Sequence, residues 1–317
     1  MAADSKIEWT DHTFNPWIGC TKVSPACDHC YAERSTPTRA LGVIWGAGQP
    51  RRRTMFGTWA QPLRWNAQAE AFAAQHGRRQ RVFCASLAGV FDNEVPEDWR
   101  ADLFRLIEAT PNLDWLLLTK RIGNAERMMF TARGGHLPQL PNLWLGATIC
   151  NQEEADRDIA KLKRVPARVH FVSMEPLLSA VNLGLCDCDH GSIPAPYNAG
   201  GVTCPKCNGT GGHRIDWVIV GGESGHEARP MHPDWARSLR DQCQAAGVPF
   251  LFKQWGEWLP AKEGHSITGR VLVLEGAGPF TDKPQWHVFE DGKQVARVGK
   301  KAAGRRLDDR TWDEVPT

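Results

Sequence analysis

From residue 81 onward the chain alternates between short apolar runs and amphipathic stretches. The runs are RVFCASL (81–87), DWLLLTK (114–120), LWLGATI (143–149), RVHFVSM (168–174), DWVIVGG (216–222) and PFLFKQW (249–255). Each is nearly continuously apolar rather than alternating, as strands covered on both faces are. Between them, 64–76, 97–109, 121–131, 151–163 and 232–246 carry helical patterns. Asn151 with Glu154 makes a capping-box-like start, and Pro233 falls in a first helical turn. Strand–helix–strand alternation predicts right-handed crossovers and a parallel sheet. With about six strands, the expected α/β fold is a curved, partial (β/α) barrel; a flat doubly wound sheet is the alternative.

The predicted strands end in SLAGVFDN, TKRIGN, ATICNQ, SMEPLL, GGESGHEARP and KQWGEW, all rich in polar groups. The opposite ends are plainer, so the carboxyl ends are expected to carry the site, as in barrels generally. The barrel is assigned to 1–258. Two regions break its rhythm. Residues 183–213 are Cys- and Gly-rich and read as an insertion. Residues 259–317 read as a small C-terminal appendix, with a hairpin from RVLVLEG and WHVFEDGKQVARV turning at Asp291-Gly292.

Composition narrows the class. Apolar residues make up 42% and charged ones 23% of 317 residues, enough for an ordinary globular core. The net charge of +2 neither demands nor excludes a nucleic-acid partner. No apolar run nears the roughly 20 residues that span a bilayer, so no membrane association is expected. The start, MAADSKIEWTDH, lacks an apolar signal core. A cytoplasmic, reducing location is expected, where ten cysteines read as metal ligands and core thiols rather than disulfides. Cys84, Cys150 and Cys243 are scattered and read as buried apolar residues. No Ser-His-Asp set, phosphate-binding P-loop or dinucleotide fingerprint is present.

The other seven cysteines form two groups. In GCTKVSPACDHCYAE (19–33), Cys20, Cys27 and Cys30 are spaced C-x6-C-x2-C. Iron–sulfur clusters usually take four thiolates. Three on a four-iron cluster leave one iron open, as a catalytic metal centre requires. The stretch resembles the cluster loop of radical S-adenosylmethionine (SAM) enzymes, although their common spacing is C-x3-C-x2-C. In that reading the open iron binds the amino and carboxylate groups of SAM. The reduced [4Fe–4S] cluster cleaves the carbon–sulfur bond, and a 5′-deoxyadenosyl radical abstracts hydrogen from a substrate. An electron donor such as flavodoxin or ferredoxin is then needed. The alternative is a zinc site completed by His12 or His29.

A wider resemblance rests on FNPWIGCTKVSPACDHCYAE, MEPLL, VIVGGESG with ARPMHP, FKQWGEW and VGKKAAGR. Together these are similar to the three-cysteine-motif phage protein family, which is regarded as radical-SAM-like. The resemblance runs from about Trp9 to the C-terminus. It implies the cluster but no particular substrate.

Position at strand ends nominates further residues. Ser86, Lys120 and Thr148 are expected to contact SAM, with Lys120 suited to its carboxylate. Tyr31, directly after Cys30, is a further cofactor candidate. Lys120, Glu175 and Glu223 are candidate catalytic groups, with Lys253 and Gln254 also at a strand end. The bland alternative for each is an ordinary strand-end residue. The glycines of GGESG read as room for a ligand or as a tight turn. In the second group, Cys186, Cys188, Cys204 and Cys207 fit a tetrahedral zinc that folds its own loop, or an auxiliary iron–sulfur cluster.

The basic runs at 51–53, 78–81 and 300–306 read as phosphate tracks or solvated surface. Trp17, Trp45 and Trp59 are offered as base-stacking residues. Two functional readings follow. One is a radical-SAM enzyme acting on a nucleic acid, a nucleotide or a protein. The other is a non-catalytic zinc-binding scaffold for nucleic-acid or protein interaction.

Overall fold

The computed structural model describes residues 5, 7–137, 139–185, 192–194, 201–203, 215–261 and 285–316. Cys186, Cys188, Cys204, Cys207 and the RVLVLEG run lie outside the described residues.

A seven-stranded sheet organises the chain. Its strands are β1 (His12–Thr13), β2 (Gln80–Cys84), β3 (Leu113–Thr119), β4 (Leu143–Thr148), β5 (Val169–Met174), β6 (Trp217–Gly221) and β7 (Phe250–Gln254). They lie in sequence order, every neighbour parallel. A doubly wound sheet needs a reversal of strand order. Here there is none, so right-handed crossovers all fall on one face and the sheet curls into a half-barrel. Six strands match the apolar runs. The seventh, β1, is two polar residues long and gives no periodic signal.

The helices between strands are α1 (Gln61–Ala67), α2 (Ala69–His76), α3 (Glu97–Ala109), α4 (Ile122–Ala132), α5 (Gln152–Arg164) and α6 (Pro233–Ala246). The single helix expected over 64–76 is interrupted at Gln68. At α5, Asn151 Oδ1 accepts from Glu154 N at 2.9 Å, while the Glu154 carboxylate accepts from Cys150 N at 2.9 Å. The box is therefore closed one residue before the cap.

Side chains alternate across the sheet. Val82, Cys84, Trp115, Leu117, Leu145, Val218 and Val220 face the helices. Phe83, Leu116, Trp144, Phe171, Trp217, Ile219 and Leu251 face inward with Trp9. This inner set is an aromatic plug, with Trp144 and Trp9 edge-on to Trp217 at 6.0 and 6.1 Å. The chain end seals the floor below it. Trp217 Nε1 donates to Glu314 O, and Val315 packs on the plug. Residues 312–314 run antiparallel along β7, with Phe252 N donating to Trp312 O at 2.9 Å. That covers an edge otherwise open to pairing. The amino-terminal end is thus plugged, and a cavity lies at the carboxyl end of the half-barrel.

A hairpin pairs Gln285–Val288 with Gln294–Arg297 and turns at the expected Asp291-Gly292, where Gly292 supplies the positive φ; the part expected of RVLVLEG lies outside the described residues. Its third strand is Trp258–Pro260. Among the described residues, no helix is long and apolar enough to cross a membrane.

Candidate metal and cofactor site

The cysteine loop is pinned at both ends over the carboxyl end of the sheet. Its first part is tied to the ends of β2 and β3. Gly19 N donates to Leu87 O at 3.1 Å. Arg51 donates to Thr21 Oγ1 at 2.6 Å, and Arg121 to Thr21 O at 2.8 Å. Arg51 itself is fully buried against Asp92 at 2.7 Å, with Arg121 also at 3.7 Å from Asp92. Ser24 caps a short turn, Pro25–Cys27, that delivers Cys27 and Cys30. The second part is tied to the loop after β6. Arg229 donates to Pro25 O at 2.8 Å and to Asp28 at 3.0 Å, and Glu223 accepts from His29 at 3.2 Å. Tyr31 closes the loop by donating to Ser86 O at 3.1 Å.

Beneath this loop lies a cavity of about 450 Å³. That is the size of a small-molecule site. All three cysteines line it. So do Ser86, Lys120, Thr148, Glu175, Glu223 and Tyr31, so every described site candidate meets in one place. Trp9 and Phe83 of the plug form its floor. His12 is not among its lining residues: it stacks on Trp65 at 4.1 Å and bonds Gln80.

Three thiols on one loop are a soft donor set that suits either an iron–sulfur cluster or zinc. A single tetrahedral zinc, with sulfur at about 2.3 Å, holds its thiolates about 4 Å apart. Among the described residues, only His232, Asp234 and Asp291 bring three candidate ligand atoms within 4.8 Å of one another. The sulfurs of Cys20, Cys27 and Cys30 are not all within that distance of one another. Burial, with Asp92 nearby, pushes the Cys20 thiol up, and Arg121 opposes that. The His232 group is already in use. His232 Nδ1 accepts from Asp234 N, its Nε2 meets Asp291 at 3.0 Å, and Asp234 pairs with Arg237. It fastens the hairpin to α6.

Unpartnered polar atoms mark the cavity further. Thr148 Oγ1, Arg121 Nε and Gln254 Oε1 are buried without a hydrogen-bond partner, and all three residues line it. Buried polar groups are normally paired, so these atoms are open to a ligand or to water. Lys120 also lines the cavity and has no acidic partner among the described residues. Glu175 is held by Lys253 and Gln254, each at 2.8 Å. Ser86 accepts from Asn15 at 2.9 Å.

Several expectations change. Glu223 is not an open ligand for a hydroxyl or ammonium group. Arg229 occupies both its oxygens at 2.8 and 2.9 Å, so it latches the cysteine loop instead. Burial alone would raise its carboxyl, but bonds from Arg229 and His29 outweigh that and hold it below the usual range. In GGESG, Gly222 allows a close approach of backbone to backbone. A Cβ on Gly222 would sit 2.0 Å from Trp255 O, and one on Gly256 2.0 Å from Glu223 O. The loops after β6 and β7 cross there at a distance only glycine allows.

Trp17 is fully buried and donates to Gly89 O, so it stacks no base. Trp59 packs against Phe14 and under Arg53; only Trp45 of the three reaches the cavity. Within the 51–53 run Arg51 is buried and Arg53 pairs with Asp102 at 2.5 Å, while Arg52 is exposed and donates to Leu41 O at 2.9 Å. The 78–81 run is also engaged, Arg78 with Asp11, Arg79 with Asp114 and Arg81 over Trp144. Pattern reading missed Arg51, Asp92 and Arg229, whose partners lie far away in sequence. Arg121 carried one signal, its place beside Lys120 at a strand end.

A pinned three-cysteine loop over the mouth of a parallel half-barrel defines the class of site. A family model described as "Protein of unknown function (DUF5131)" matches residues 4–316, and the chain belongs to that family. No curated protein matches. Two solved structures of spore photoproduct lyase variants are similar. One, with bound AdoMet and dinucleoside spore photoproduct, has a TM-score of 0.38 and 11% identity, covering 93% of this chain and 70% of that one. The other has a TM-score of 0.39 and 10% identity over the same shares.

Proposed function

We propose that this chain is a radical SAM enzyme in which Cys20, Cys27 and Cys30 hold a [4Fe–4S] cluster and SAM lies beside it in the cavity. When bound, the pair supplies a 5′-deoxyadenosyl radical for hydrogen abstraction. One observation carries the reading: three thiols of one pinned loop share a cavity at the carboxyl ends of a parallel half-barrel.

The chain's own groups have definite tasks in this reading. Lys120 offers an uncommitted ammonium to the cofactor carboxylate. Arg121 Nε and the Thr148 hydroxyl supply further polar contacts. The apolar floor and the overlying loop limit water around a reactive radical. Glu223 and Arg229 hold the loop in register. The proposed substrate is a nucleic acid or nucleotide, supported by the cavity's uncommitted cations. Electrons come from a flavodoxin- or ferredoxin-type donor. Zinc at Cys186, Cys188, Cys204 and Cys207 belongs to the same proposal, on their spacing alone.

Anaerobic reconstitution with iron and sulfide, followed by EPR of the reduced protein with and without SAM, tests it. The expected result is a [4Fe–4S]⁺ signal that shifts when SAM is added. A colourless protein that keeps zinc on Cys20, Cys27 and Cys30 overturns it and favours the scaffold reading.

A further inference from the structure

One wall of the cavity carries a chain of three side chains ending in an unpaired acceptor. Lys253 Nζ donates to Glu175 Oε2 at 2.8 Å. A carboxylate so paired only accepts. Gln254 faces its other oxygen across 2.8 Å. An acceptor-only partner decides which end of that amide is nitrogen, an assignment otherwise open. The Gln254 carbonyl must therefore point elsewhere. Its Oε1 is buried and unpartnered, in a residue 4% exposed that lines the cavity. Thr148, 3% exposed, adds an unpartnered Oγ1 in the same cavity. A buried acceptor held by two other residues is built for a ligand N–H or O–H.

The charges select the rest of the ligand. Among the described residues, the acidic ones lining the cavity are Glu175 and Glu223, and each is paired with a cation, Lys253 and Arg229. Lys120 and Lys300 line it without an acidic partner among the described residues. One cofactor carboxylate takes one ammonium and leaves another for a second anion. The ligand thus combines an anionic group near the lysines with a neutral N–H group deeper in. A nucleotide has both.

We infer that Gln254 Oε1, oriented by Glu175 and Lys253, reads the N–H edge of the base of a nucleotide substrate. Gln254 is then the residue that sets base recognition, and Glu175 and Lys253 are positioning residues. The inference rests on the radical-SAM reading for its cofactor, but it is tested separately by binding.

Isothermal titration of the reconstituted full-length protein, with and without SAM, uses the four 5′-deoxynucleoside and four 5′-ribonucleoside monophosphates. Deoxyribose 5-phosphate is the base-free control. At least one nucleotide is expected to bind, and the base-free control to bind at least about tenfold more weakly. Gln254→Leu should weaken that nucleotide roughly 10- to 100-fold, the usual effect of deleting one buried hydrogen-bond partner, with SAM affinity unchanged. Glu175→Gln frees the amide to turn over, and a smaller loss is expected. On the wild-type protein, replacing the base N–H by N-methyl should cost as much as Gln254→Leu, which keeps the test intact if a variant misfolds.

Equal binding of the base-free control, no nucleotide binding, or a Gln254→Leu loss that falls on SAM overturns the inference. Nucleotide binding to a protein that forms no cluster would sink the radical reading and leave base recognition standing.

Discussion

The two ends of the half-barrel are both rich in charged residues, but they use them differently. At the amino-terminal end, Arg78 grips Asp11 through two bonds of 2.6 and 2.8 Å. Asp114 is shared by Arg79 and Arg168, and Arg81 covers Trp144. Below them the aromatic plug and the chain end fill the space. At the carboxyl end the pairs fix a loop instead of closing a surface, and Lys120 and Lys300 line a cavity with no acidic partner among the described residues. An end that pairs its charges over a filled interior supports the fold. An end that frames a cavity and leaves cations unpaired is shaped around something else.

The largest effect should come from the loop itself. Cys27→Ala removes one of the three thiols from a buried position. Reconstituted iron should fall from about four per chain to background, and the EPR signal should vanish with it. Retention of a normal signal would show that another residue ligates the cluster and would break the contrast between the ends.

Next is the pair that anchors the loop from below. Arg51 and Asp92 have side chains 0% and 1% exposed. Removing one partner strands a buried charge, at a typical cost of 3–5 kcal/mol. Arg51→Met should lower unfolding stability by roughly that much in denaturant titrations, and iron uptake should drop because Thr21 loses its tether. A change under about 1 kcal/mol would mean that Asp92 is satisfied by Arg121 alone.

Glu223 gives a smaller, pH-dependent effect. Its carboxyl titrates lower in the folded chain than in the unfolded one, because Arg229 and His29 outweigh the cost of burial. Its contribution is therefore complete above the ordinary carboxylate value near 4.3. It is lost as pH falls through the lower folded value. At pH 7, Glu223→Gln should cost about 1–3 kcal/mol, the range for hydrogen bonds to charged groups. That difference should begin to shrink only below the ordinary value near 4.3 and close once pH has passed the folded value. A gap that stays constant down to pH 3 would contradict a latch made of charge.

How much of this was legible depended on sequence distance. Six strands were readable because a strand covered on both faces is apolar throughout. Two-residue β1 was not, since its place is decided by pairing with β2 through His12–Val82 and Thr13–Phe83. The three cysteines and the strand-end Lys120, Thr148 and Glu175 were readable because loops after barrel strands share one mouth. What Glu223 does there was not: its bond to His29 spans 194 residues of sequence. Nor did composition distinguish Arg51, buried under the site, from Arg53, clamped to Asp102 and stacked on Trp59. Runs of like charge report surface only until a distant acid claims them.

The smallest effect belongs at the far end. Arg78 and Asp11 have side chains 36% and 17% exposed, so water and salt screen them. Arg78→Met should cost about 0.2–1 kcal/mol, toward the upper part of that range because the pair is doubly bonded. The cost should shrink in high salt. Iron content, the response of the EPR signal to SAM, and nucleotide affinity should all match the wild type. If Arg78→Met instead altered any of those three, the amino-terminal end would be coupled to the cavity through the plug of Trp9, Phe83 and Trp217. The division of labour between the two ends would then fail at its weakest-charged point, where it is easiest to test without disturbing the fold.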